Sequence, residues 1–152
     1  LYVHVGGLPD LLRRLAARGA RELGALLATA AAGRSGPDAL SAIAIAYRGY
    51  ARAHPGTYAA TQRNANLTDP DASEAAAAVL ETVYAVLRGY DFDDEEAVHA
   101  TRVVRSALHG FVSLETGDGF GMPFDLDASF QTLIAVLDEG LRARAMPRSA
   151  EE

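Results

Sequence analysis

The sequence predicts an all-α protein, and three features of it carry that prediction. Ala, the strongest helix former, is abundant. Apolar residues recur at helical spacing through every long segment. Runs of β-branched residues are short, and no alternation of period two persists. At 152 residues and 49% hydrophobic content, the chain can bury one compact core.

The opening stretch, LYVHVGGLPDLLRR, reads as a helix end, a short break and the start of a long helix. Gly6-Gly7 tolerates the left-handed backbone that ends helices. Pro9 suits a first turn, which has no partner for a missing N–H, and Asp10 sits near the positive end of the new dipole. Because the chain starts with Leu inside what reads as a helical turn, it is expected to be part of something longer. A long helix is expected over residues 9–32, with Leu11, Leu12, Leu15, Leu23, Leu26 and Leu27 at helical spacing. At about 1.5 Å per residue it is roughly 35 Å long, enough to link two domains.

Gly33 to Gly36 stops it, and Pro37-Asp38 opens a second helix to about residue 54. Leu40, Ile43, Ala44, Tyr47, Tyr50, Ala51 and His54 share one broad face there. His54-Pro55-Gly56 ends it, because a residue before proline is biased away from helix. Residues 57–66 read as a short helix or an irregular segment. Asp69 and Asp71 around Pro70 open a third long helix to about residue 88, with Ala76, Val79, Leu80, Val83, Leu87 and Tyr84 inward.

The acidic run at 91–96 lacks the glycine a calcium loop needs, so Asp93 is expected to cap a helix with Glu96 three residues on. That helix, over about 94–116, carries Ala97, Ala100, Val104, Ala107, Phe111 and Leu114 on one face. Val98, Thr101, Leu108 and Val112 extend the apolar surface onto an adjacent face. The Gly-rich segment 117–123 follows a helix, not a strand, and reads as a connector instead of a phosphate loop. A last helix over about 127–145 carries Phe130, Leu133, Ile134, Leu137 and Leu141, flanked by Val136 and Gly140. Two consecutive helices with this much apolar surface suit a twofold four-helix interface through Val104, Leu108, Phe111, Val112, Phe130, Ile134 and Leu137. One densely packed bundle accounts for the same pattern.

A net charge of −6 argues against nucleic-acid binding by this portion itself, since phosphates reward Lys and Arg. The absence of cysteine suits a reducing cytoplasm, and no apolar run is long enough to span a membrane. No G-x-S-x-G motif is present, and His99 and His109 are ten residues apart, too far for one coordination sphere on a straight helix. Neither an enzyme nor a metal or cofactor is expected.

Leu1, Tyr2, His4 and Val5, then the glycine turn and Leu11-Leu12, resemble the end of the recognition helix and the connecting helix of tetracycline-repressor (TetR) regulators. Leu8 stands near a turn position where many members carry Lys. A buried helix end with Tyr2 and His4 satisfied internally is the other reading of LYVHV. Further along, Ala107 to Val112 (ALHGFV), Leu114-Glu115, Gly119-Phe120, Ser129-Phe130 and the earlier His54-Pro55 resemble the WHG-type regulatory domain of a TetR subfamily, although the chain has no Trp. This resemblance covers about residues 39–141.

The resemblance implies a TetR-like C-terminal helical bundle with a long connecting helix, preceded by the end of a helix-turn-helix recognition helix. Residues 1–8 would end the DNA-binding domain, 9–146 would bind effector and dimerise, and 147–152 would form a tail. Tyr2 and His4 would touch DNA phosphates. A homodimeric, cytoplasmic repressor would bind operator DNA and be released by a small-molecule effector. Among inward polar and aromatic residues, Tyr47, Tyr50, His54, Tyr84, Arg105 and His109 are the expected effector contacts, from a wider set with Tyr58, Arg63, Arg102 and Phe111. For His109-Gly110 a structural role is also open, with the glycine admitting another helix and the imidazole bonding backbone. A ligand-free helical adaptor is the main rival function.

Overall fold

Helix starts and stops follow the glycine and proline punctuation of the chain. The computed structural model describes residues 6–63 and 70–145, and among these it holds six helices. In α1 (Leu8–Ala31), Gly7 takes a left-handed φ of 88° and proline occupies the first turn. Asp10 accepts the Gly6 N–H at 3.2 Å and pairs with Arg13 and, at 3.0 Å, with Arg14. Helix α2 (Gly36–Ala53) ends at His54, and α3 (Pro55–Arg63) begins at once on the proline. Then come α4 (Pro70–Arg88), α5 (Asp94–Thr116) and α6 (Leu126–Ala145). The Asp93 carboxylate accepts the Glu96 N–H at 2.8 Å, capping α5 as its spacing predicts.

The bundle is organised on α2, which touches all five other helices. Its buried set accordingly runs almost round the helix: Ala39, Leu40, Ile43, Ala44, Tyr47, Arg48, Tyr50 and Ala51. Leu27, Leu40, Ile43, Leu87, Val104, Val112 and Phe130 are the largest side chains fully withdrawn from solvent. Helix α1 lies along α4, α2 and α3. A Cβ added to its Gly19 would meet the Thr57 and Thr61 methyls at 2.6 and 2.8 Å, so the missing side chain sets how closely α3 approaches.

The inner face of α4 is turned slightly from the predicted one. Ala72, Ala75, Val83, Val86 and Leu87 are buried, whereas Leu80 is 39% exposed. Leu80 faces a cavity and not packed atoms. The Tyr84 hydroxyl is drawn outward to Asp94 at 2.7 Å, tying α4 to the start of α5.

Most of both apolar faces of α5 is used within the chain, Val98 and Leu114 excepted, because the helix packs against α2, α4 and α6. Val104, Leu108, Phe111, Val112, Phe130, Ile134 and Leu137 are all buried in this single chain, none more than 9% exposed. The surface left open on these helices is different. Val103, Ala107, Gly110 and Leu114 recur at helical spacing on α5, with Val103 and Leu114 exposed. On α6, Val136 is 60% exposed beside half-buried Leu133. A Cβ added at Gly110 or Gly140 would meet nothing within 4 Å among the described residues, so no described helix approaches Gly110 closely.

Candidate ligand-binding site

A cavity of about 160 Å³ opens among five helices, all except α6. Helix α1 contributes Ala20, Leu23 and Leu27, and α2 contributes Ile43 and Tyr47. Thr61 and Gln62 come from α3; Ala76, Val79, Leu80 and Val83 from α4; Val104, Arg105 and Leu108 from α5. The walls are chiefly aliphatic, with four polar side chains among them, the balance expected of a small-molecule site.

Behind Tyr47 runs a hydrogen-bonded chain across three helices. The Tyr58 hydroxyl lies 2.7 Å from the Tyr47 hydroxyl and 2.6 Å from His109 Nδ1. The two phenol rings meet edge to face at 5.6 Å, and His109 stands 5.9 Å from the Tyr58 ring. Burial pushes the pKa of both phenols up, far up for Tyr58, so both stay neutral donors. His109 therefore bonds a side chain and not backbone.

The expected effector contacts divide. Tyr47 and Arg105 line the cavity, while Tyr50, His54, Tyr84 and His109 are not among its lining residues. Tyr50 donates its hydroxyl to Glu22 on α1 at 3.0 Å and leans on the His54 ring at 4.9 Å. Burial, helped by that carboxylate, pushes its pKa up to about 12. Tyr84 sits on the α4–α5 surface, and His109 acts one layer back through Tyr58. Tyr2 and His4 lie outside the described residues. Sequence reasoning did not single out Ala20, Thr61 or Gln62, since no periodic signal marks a residue that borders empty space.

A second polar centre was also missed. Arg48, only 8% exposed, donates two bonds to Glu115 at 2.9 and 2.5 Å and one to Asp127 at 2.7 Å. Its guanidinium lies over the Phe130 ring at 4.8 Å and near Phe111 at 5.5 Å. The Arg48 hydrogen bonds hold the Glu115 pKa below its ordinary value. One side chain thus fastens α2 to α5 and α6. The signal was present: Leu40, Ala44, Arg48 and Ala51 share a stripe that is otherwise wholly apolar.

Comparison with known proteins agrees with this architecture. A family model described as the tetracyclin repressor-like C-terminal domain matches residues 40–137. An uncharacterized HTH-type transcriptional regulator of Mycobacterium tuberculosis, Rv0681, is 39% identical over 145 residues, spanning 95% of this chain and 66% of that protein. The uncharacterized HTH-type transcriptional regulator YobS of Bacillus subtilis is 31% identical over 141 residues, spanning 93% of this chain and 73% of that protein. A solved protein of unknown function from Rhodococcus sp. RHA1 shares the fold at a TM-score of 0.78 and 23% identity, over 89% of this chain and 73% of its own. Among the described residues no helix is long and apolar enough to cross a membrane. The curated relatives are transcriptional regulators, not enzymes. On the family match across most of its length, the chain belongs to the tetracycline-repressor-like HTH-type transcriptional regulators, carrying their C-terminal domain.

Proposed function

We propose that this chain is the regulatory part of a cytoplasmic, homodimeric repressor whose hold on operator DNA is released by a small molecule bound in the cavity. One observation carries the reading: α1, the helix that would lead to the DNA-binding head, itself forms a wall of the cavity through Ala20, Leu23 and Leu27. An occupant presses on the connector directly. Residues 1–8 would then close the helix-turn-helix, with Tyr2 and His4 on DNA phosphates, and 9–146 would bind effector and dimerise ahead of a 147–152 tail. A ligand-free adaptor would have no use for such a cavity.

For the dimer, the open faces of α5 and α6 replace the buried residues that the sequence suggests. Val103, Gly110 and Leu114 would meet Leu133, Val136 and Gly140 of a second copy, with the glycines allowing close approach.

Light scattering on the intact protein should give twice the chain mass, and Val136→Glu should give monomer. The dimer should bind a short palindromic duplex chosen from a random pool, with affinity falling steeply as salt rises. A monomeric wild type, or no duplex bound at low salt, would overturn the proposal.

A further inference from the structure

We propose that the cavity takes a small apolar carboxylic acid, its carboxylate on Arg105 and Tyr47 and its hydrocarbon body among Leu23, Leu27, Val79 and Val83. The inference rests on the reading of this cavity as the effector site.

Size sets the first bound. A cavity of roughly 150 Å³ accepts a benzene-sized occupant, and this one is about 160 Å³. The body of the ligand is therefore a single ring or a short chain. Chemistry sets the second bound. Ten of the lining residues are Ala, Leu, Ile or Val on α1, α2, α4 and α5, and their side chains offer no hydrogen bonds.

Against these walls stands one cation. Arg105 lines the cavity yet is exposed to solvent, and no described carboxylate pairs with it. Arg48, by contrast, is closed off by Glu115 and Asp127. Besides burial, which dominates, the Arg105 charge acts on the phenols of Tyr47 and Tyr58, lowering the pKa of each. Arg105 and Tyr47 line the same small cavity, so cation and hydroxyl can reach one ligand.

A planar guanidinium fork matches a carboxylate, and a neighbouring phenol adds a second donor. A neutral occupant would leave Arg105 to water and gain no charge-assisted bond from it. A phosphate ester brings a larger, more strongly hydrated head than one arginine on an apolar wall serves. At the solvent-facing rim the carboxylate keeps part of its hydration, so the pairing is not offset by full desolvation.

The test compares acids with amides of the same shape on the intact protein: benzoate with benzamide, and hexanoate with hexanamide, by titration calorimetry. Each acid should bind the wild type at least about tenfold tighter than its amide, a difference of roughly 1.4 kcal/mol. Arg105→Gln should abolish that preference, chiefly by weakening the acids, while the unfolding curve stays as in wild type. Amides bound as tightly as acids would overturn the ligand class and leave the cavity as the site. A preference that survives Arg105→Gln would overturn the anchor. No binding of any of the four would overturn the effector-site reading of this cavity together with the inference.

Discussion

Arg48→Ala should lower the unfolding free energy by about 3–5 kcal/mol, the cost of leaving one member of a buried ion pair alone. Glu115, with a side chain only 10% exposed, would keep Arg52 at 3.9 Å as its nearest cation. The guanidinium also covers the Phe130 ring at 4.8 Å, so packing is lost along with charge. Urea denaturation at neutral pH measures the effect, and a loss below about 1 kcal/mol would place the pair with weak surface bridges. The pH dependence adds a sign. Glu115 has a folded pKa below its ordinary 4.5, so the pair stabilises above that pH and is lost as pH falls through the lowered value. Without Arg48 the stranded carboxylate should favour protonation, and mild acid should stabilise the variant relative to wild type. The double variant Arg48→Met, Glu115→Leu should recover most of the loss, because it removes both charges together.

Ala76→Phe should weaken ligand binding by more than about 100-fold, some 2.7 kcal/mol, without unfolding the protein. Ala76 borders the cavity on α4, and a phenyl ring is the size of occupant that a cavity of roughly 150 Å³ accepts. The protein would carry its own plug. Burying that ring in space already vacant should hold stability level or raise it by about 1–3 kcal/mol. Calorimetric titration beside a urea curve reads both. Ligand binding at wild-type strength would mean that the ligand sits elsewhere.

The helices were legible because their ends are punctuated. Gly7 with Pro9, His54-Pro55, Asp93 and Gly117 each mark a boundary by local chemistry, and α5 begins and ends where those residues place it. What the helices do with their faces was not legible. The wide apolar arc of α5 suits a partner chain or three neighbours in its own chain equally well, and periodicity cannot tell them apart. Here α2, α4 and α6 absorb most of it, so Val104, Leu108 and Phe111 lie in the core while Val98 and Leu114 stay exposed. The cavity was half legible. Tyr47 and Arg105 stood out as inward polar residues on helices, and both line it. Tyr50 carries the same signal but answers to Glu22, a contact set by the packing of α1 on α2. Likewise, the bond between Tyr58 and His109 joins residues 51 apart, which only the assembled bundle brings together.

In the proposed regulator, occupancy of the cavity and operator binding are coupled, and coupling is reciprocal. The direct measurement is a closed cycle on the intact dimer: duplex affinity with and without saturating cavity ligand, and ligand affinity with and without saturating duplex. Both ratios should be equal, with each partner weakening the other by about 5–150-fold, and Ala76→Phe, whose ring takes the occupant's place, should itself weaken duplex binding and leave it indifferent to ligand. Duplex affinity unchanged while calorimetry shows the cavity filled would mean that the cavity does not control DNA binding.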